Sequence, residues 1–264
     1  MTAAEIAAYE RDGYVILALS VSPARMAELQ EAVDYLLAAN PNVPPESLMS
    51  VHIVDNKAEG QRGHRALLDL ALDSEILDLV VQVIGPDIIL WGWHLFCKPG
   101  EVGREVPWHQ DGHFWLFRPL ATCTLWLAFD EVNEENGCMR VIPGSHRERR
   151  LYRHHEDTNP ALALYEELDA DQFDAAAAVN IELEPGEFSL HDIYLMHGSP
   201  PNRSGGRRAG LAIRYMPDTS LFNRGGGKDA GNGDPRYANF AERPIWLARG
   251  TDRRGGNDFT IGHN

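Results

Sequence analysis

The chain has 264 residues, is 44% hydrophobic and carries a formal net charge of −15. That length supports one large folded domain over 1–264 with a sizeable core, and the acidic balance excludes nucleic acid as an expected partner, because phosphate-binding surfaces need clustered lysine and arginine. No apolar run reaches the roughly 20 residues of a membrane span, and Met1 leads into a polar helix rather than a signal peptide, so a cytoplasmic protein without a membrane partner is expected. Cys97, Cys123 and Cys138 have no metal-ligand spacing and read as buried free thiols.

In chain order, residues 2–11 have helical periodicity and end at Asp12-Gly13 before a short strand over 14–17. Ser22-Pro23 reads as a helix start, with serine as cap and proline in the first turn. Met26, Leu29, Val33, Leu36 and Leu37 then carry that helix at helical spacing. A loop marked by Pro41, Pro44 and Pro45 precedes a helical region over 65–84, closed by Gly85-Pro86.

Beyond Pro86 the pattern changes to short strands over 88–97, 122–129, 181–183, 188–196 and 211–216, separated by Gly, Pro and Asn turns. The expected architecture is mainly β: a double-stranded β-helix, or antiparallel jelly roll, buttressed by N-terminal helices. The helical part covers about 1–86, the jelly-roll core about 87–217 and a C-terminal tail about 218–264. Residues 152–178 form a charged insertion with an alanine-rich, helical end, either a flap over a site or a solvated excursion. Ile245-Trp246-Leu247 is the apolar island of the tail and is expected to dock it on the body.

The most informative motif is Trp108-His109-Gln110-Asp111. In an extended strand residues i and i+2 share a face, so His109 and Asp111 can grip one ion together. A later histidine completes a two-histidine, one-carboxylate face, an arrangement suited to non-haem Fe(II) with open positions. Either His191 or His197 can supply it, and strand parity does not separate them. A second His-x-Asp, His155-Glu156-Asp157, lies in a charged context unsuited to a desolvated ligand. Of the neighbours Arg207 and Arg208 only one can face a pocket, where a guanidinium holds a carboxylate by two parallel hydrogen bonds.

Three pieces in this order, 108–112 (WHQDG), 136–146 (NGCMRVIPGSH) and 197–202 (HGSPPN) followed by Arg208, give the chain its resemblance to a known family. With the N-terminal helix and the GYVIL strand, it resembles the phytanoyl-CoA dioxygenase family of Fe(II)/2-oxoglutarate oxygenases over roughly residues 1–217. The resemblance implies Fe(II), 2-oxoglutarate and O2 as cofactors, with succinate and CO2 released as an unactivated C–H bond is hydroxylated. It implies His109, Asp111 and His197 as the catalytic metal ligands and Arg208 as the anchor of the cosubstrate's far carboxylate. Ser199 then hydrogen-bonds the cosubstrate, and Trp126 lies near it. Presence of the Asp111 carboxylate points to hydroxylation or a related oxidation, with desaturation, epoxidation and cyclisation open, rather than halogenation.

For the substrate, His113, Trp115 and Phe117 alternate just past Asp111, and His94 and Lys98 share one face of an earlier strand. Arg214 has the parity of Arg208 and either anchors an anionic substrate group or forms a structural ion pair. Pro143-Gly144-Ser145-His146 reads as a turn near the pocket mouth. The chain is shorter than phytanoyl-CoA hydroxylases, ends without Ser-Lys-Leu and has no basic patch for a CoA pyrophosphate. A free small molecule, an amino acid derivative or a secondary metabolite, is therefore the expected substrate. The rival readings are a metal-dependent cupin-like hydrolase or isomerase, and a catalytically silent small-molecule binding protein.

Overall fold

Thr2 accepts a hydrogen bond from the Glu5 amide while the Glu5 carboxylate accepts one from the Thr2 amide, and this capping box starts α1 (Ala3–Asp12). Gly13, at φ +81°, ends the helix in the left-handed region and lets the chain turn directly into β1 (Tyr14–Ser20). Ser22 caps α2 (Pro23–Ala39), whose buried Leu29, Val33 and Leu36 recur at helical spacing. The short strands β2 (Leu48–Met49), β3 (Asp55–Asn56) and β4 (Gln61–Arg62) follow. The helix expected over 65–84 is two, α3 (Arg65–Ala71) and α4 (Ser74–Ile84). Asp73 divides them, because its side chain accepts from the Glu75 amide and so begins a new helix.

The molecule is a computed structural model in which residues 1–56, 60–115, 117–225 and 240–263 are described. Beyond α4 come β5 (Ile88–Lys98), β6 (Val106–Gln110), the one-turn α5 (Asp111–Phe114), β7 (Cys123–Ala128) and β8 (Met139–Val141). Then follow β9 (His154–Glu156), β10 (Glu166–Leu168), β11 (Val179–Ile181) and β12 (Glu187–Asp192). β13 (Met196–Ser199), β14 (Arg208–Pro217) and β15 (Trp246–Arg249) complete the order.

The major sheet runs β1-β12-β7-β14-β5-β15, with β2 also on β5, and the minor sheet runs β11-β8-β13-β6. Neighbours in both are antiparallel, and the two sheets form the double-stranded β-helix expected from the sequence. Both edges of the major sheet come from outside residues 87–217: β1 from the helical part and β15 from the tail. The strand expected over 181–183 lies two residues earlier, and Leu183 bridges Val132 on its own. The strand expected over 188–196 is two strands on different sheets. Asp192 accepts from the Tyr194 amide at 2.8 Å, and this side-chain turn carries the chain from the major sheet to the minor one.

Strand alternation divides the interior into two compartments. On β14, Ala209, Leu211, Ile213 and Tyr215 join Leu29, Leu36, Leu67 and Val80 in the core under the helices. Arg208, Ala212 and Arg214 face the other way, into the roll. On β7, Cys123, Leu125 and Leu127 face the helices, and Thr124 and Trp126 face inward. The helices therefore cover one sheet face, and the interior of the roll holds the polar groups beside a second apolar cluster that includes Trp126, Ala128, Met139 and Val141.

The insertion holds the β9–β10 hairpin, and its alanine-rich end forms 3-10 turns at Ala170–Gln172 and Ala175–Ala177 rather than the expected α-helix. Asp174 accepts from the Ala176 amide, a local bond that leaves too short a run to nucleate an α-helix. The tail docks as expected: Ile245 is buried and Trp246–Arg249 pairs with β5. The glycine-rich stretch 226–239 lies outside the described residues. All three cysteines are free and buried. Among the described residues no helix is long and apolar enough to cross a membrane.

Candidate metal centre and its two cavities

The strand expected through His109 and Asp111 stops at Gln110, and Asp111 opens α5. Gln110 is buried and makes this corner: its amide nitrogen donates to the carbonyls of Arg150 (3.0 Å) and Tyr194 (2.7 Å), and its oxygen accepts from the Tyr152 amide (2.7 Å). The Gly112 amide donates to the Ile193 carbonyl at 3.1 Å. The turn still brings the two side chains to one point, with His109 Nε2 3.8 Å from Asp111 Oδ1. β13 sets His197 directly across the ladder from His109, ring centres 4.1 Å apart. One ligand atom from each of His109, Asp111 and His197 lies within 4.8 Å of the others, and all three residues are buried.

The donor set fits a divalent metal. His109 Nδ1–H donates to the Pro107 carbonyl at 2.8 Å, and His197 Nδ1–H donates to the Leu195 carbonyl at 2.9 Å. A carbonyl can only accept, so each Nε2 is left with its lone pair aimed at the shared centre. Burial holds His197 well below the usual imidazole pKa, with His109 adding to the effect, so it is a neutral ligand at physiological pH. Burial raises the pKa of Asp111, but the adjacent His109 and His191 and the charge of Arg214 outweigh it and hold the carboxyl well below its usual range.

His191 shares parity with His197 but does a different job. Its Nε2 lies 3.5 Å from Asp111 Oδ2, a contact that needs a proton on nitrogen, and the Thr124 hydroxyl donates to the same oxygen at 3.1 Å. These partners turn Oδ1 toward His109. The second His-x-Asp is remote: His155 is half-exposed on β9 and pairs with Asp169.

One cavity beside the centre is walled by Arg208, Ser199, Trp126, Phe96 and Met139. The Arg208 guanidinium donates to the Gly137 carbonyl at 2.8 Å and lies over the Trp126 ring at 5.7 Å, while its buried Nε has no partner. Burial brings Arg208 down to about 10, still fully cationic at neutral pH. Arg207 faces outward to Asp34 and Asp130, which settles the choice of face between the two arginines. Lys98, cross-strand partner of Arg208, belongs to this end rather than to the side of His94: its Nζ donates to the Ser199 hydroxyl at 2.6 Å and to the Ser199 and Pro200 carbonyls. With Lys98 as donor, the Ser199 proton is free to point into the cavity.

The second cavity, about 690 Å³ of space between atoms, opens on the other side of His109 and Asp111. His94, Trp115 and Arg214 line it. His94 donates from Nε2 to the Glu46 carbonyl at 2.8 Å, and burial drops its pKa to about 3. The alternation expected through 113–117 is broken by α5. His113 turns away to pair with Glu166 and stack on His154, and Phe117 packs behind the wall, 4.9 Å from Trp91. Phe114, Trp91, Tyr165 and Arg243 line the cavity without having been singled out in the sequence. Tyr165 and Leu164 come from the insertion, which thus contributes to the wall of this cavity. The Pro143–His146 turn packs on α1 instead, where His146 Nε2–H donates to the Glu10 carbonyl and Ser145 Oγ accepts from the Met196 amide at the head of β13.

A jelly roll carrying two histidines and a carboxylate on its inner wall, with a buried arginine beyond them, defines an iron- and 2-oxoglutarate-dependent dioxygenase. The phytanoyl-CoA dioxygenase (PhyH) sequence profile matches residues 9–210, and the chain belongs to that family. A probable phytanoyl-CoA dioxygenase of Caenorhabditis elegans is 25% identical over 229 residues, 80% of this chain and 73% of that protein. Ectoine dioxygenase of Sphingopyxis alaskensis is 25% identical over 81% of this chain and 76% of its own. The chain spans about half the length of several other curated relatives. The apo structure of the non-haem monooxygenase ThoJ superposes with a TM-score of 0.72 at 24% identity, covering 94% of this chain and 84% of that one, which carries the fold.

Proposed function

We propose that the protein hydroxylates an unactivated C–H bond of a free small molecule, an amino acid derivative or secondary metabolite, with 2-oxoglutarate converted to succinate and CO2. The observation that carries this reading is the position of the His109–Asp111–His197 cluster between two cavities, one of them walled by the buried Arg208. Iron held there supplies the oxidising power, drawn from O2 and the decarboxylation of the keto acid. The protein binds, orients and excludes water.

Arg208 and the Ser199 hydroxyl hold the far carboxylate of 2-oxoglutarate, with Lys98 fixing the serine and Trp126 flooring the cavity. Phe114 and Trp115 form an apolar wall on the substrate side, and Tyr165 of the insertion closes it from solvent. A hydrolase or isomerase has no use for a buried arginine with an unpartnered Nε in the cavity beside the metal face.

The test is anaerobic. Fe(II) followed by 2-oxoglutarate is expected to give a visible metal-to-ligand charge-transfer band that needs both additions and is lost in His109→Ala. Stoichiometric metal binding without the band would favour the hydrolase or isomerase reading. Arg208→Ala is expected to weaken 2-oxoglutarate binding by about 1.5–3 kcal/mol, the range for a charged hydrogen bond, with iron affinity little changed. Titrating the band with 2-oxoglutarate measures this, and an unchanged midpoint would remove Arg208 from the cosubstrate site.

A further inference from the structure

The Arg214 side chain is 11% exposed, lines both cavities, and has no hydrogen-bond partner at its Nε. The nearest carboxylate oxygen, Asp111 Oδ1, is 3.9 Å from Nη2, too long for a hydrogen bond, and it faces the metal site. The structural ion pair is therefore incomplete. A cation kept dry with an unused donor is costly and points to a ligand that completes it.

Three further observations converge on the same place. Arg243 from the tail lies beside Arg214: a Cβ built on Gly92 would meet Arg214 Cδ at 3.7 Å and Arg243 Nη1 at 3.8 Å. The two side chains thus share the space left by a residue that has none. β5 bulges here, since Gly92 pairs with Arg214 and Leu90 with Tyr215, so Trp91 is inserted between them and joins Gly92 on the cavity side. The indole nitrogens of Trp91 and Trp93 are buried donors without partners on the same wall. Trp115 supports the Arg214 guanidinium from below at 5.0 Å.

We propose that the substrate bears a carboxylate, and that Arg214 with Arg243 binds it over Gly92, leaving the apolar body of the molecule against Phe114, Trp115 and Trp91 beside the metal. This rests on the iron and 2-oxoglutarate reading above and narrows its substrate class. Arg208 and Arg214 lie six residues apart on one strand; Arg208 lines only the first cavity and Arg214 also lines the second, so on this proposal the two carboxylates are taken by separate guanidinium groups.

The test uses the anaerobic enzyme loaded with Fe(II) and saturating 2-oxoglutarate. Phenylacetate, hexanoate and N-acetyl-leucine, each paired with its primary amide, are titrated while the charge-transfer band is followed. At least one acid is expected to perturb the band with an affinity on the order of ten- to a hundred-fold above its amide. Arg214→Gln should erase that difference and leave the 2-oxoglutarate midpoint in place, and Arg214→Lys should restore part of it. No binding by any acid, equal binding of acid and amide, or a preference that survives Arg214→Gln would overturn the proposal. Loss of the band itself in both Arg214→Gln and Arg214→Lys would make Arg214 a support for Asp111 and overturn it as well. If the unsubstituted enzyme gives no band, the iron reading fails first, and the two failures are told apart.

Discussion

Asp111→Ala is expected to hold Fe(II) weakly and to release no succinate from 2-oxoglutarate. The side chain supplies the one anionic ligand atom of a face whose other two donors are neutral imidazoles. It is also the acceptor for the Thr124 hydroxyl and His191, which cannot find another oxygen in a buried site. Asp111→Asn separates the two roles. An asparagine keeps the shape and an oxygen for Thr124 but lacks the negative charge, so it should fold like the parent and still fail to turn over. Anaerobic Fe(II) titration and a succinate assay on both variants make the measurement. Normal turnover in Asp111→Ala would remove this residue from the ligand set.

The second large effect is expected at Gly210, which has no side chain of its own in the site. A Cβ at this position would lie 1.7 Å from Trp126 Cζ2 and 2.2 Å from Cη2, so the indole cannot stay where it is. Trp126 is packed among Ala128, Met139, Val141 and Ala212, and it gives Arg208 its π face. Gly210→Ala should therefore cost about 1–3 kcal/mol through overpacking, seen as a fall of about 2–4 °C in Tm per kcal/mol. It should also weaken 2-oxoglutarate binding. Adding Trp126→Phe removes the atoms in conflict and should return part of the lost stability, a coupling that a double-mutant cycle reads directly. A Gly210→Ala protein with parental Tm and parental cosubstrate affinity would show that the indole has room to move.

Much of this site is legible in the sequence because it is written on strands. Thr124 and Trp126, and Arg208 and Arg214, each share a parity and line the cavities, and His94 and Lys98 share a parity on β5, with Lys98 hydrogen-bonded to Ser199 beside the first cavity. What parity cannot express is a change of direction. The corner at Asp111 depends on a buried glutamine tied to residues 40 and 84 positions away, and the sheet crossing at Asp192 depends on one side-chain turn. His191 and His197 look equivalent in sequence because that crossing is invisible there. Lys98 shares a face of β5 with His94, yet its Nζ reaches Ser199 beside the first cavity while His94 lines the second. Tyr165 and Arg243 come from the insertion and the tail, whose sequences carry no pattern pointing at the metal. Their placement is tertiary packing alone.

β14 has a further consequence. Its inward residues run from Arg208 at one end, past Gly210 and Ala212, to Arg214 at the other, six residues and roughly 20 Å at about 3.3 Å each. On the proposed reading, one end meets the keto acid that powers the reaction and the other meets the molecule that is oxidised. A single strand would then carry both the shared reagent and the choice of target, so changes at Arg214 could redirect the enzyme without touching Arg208.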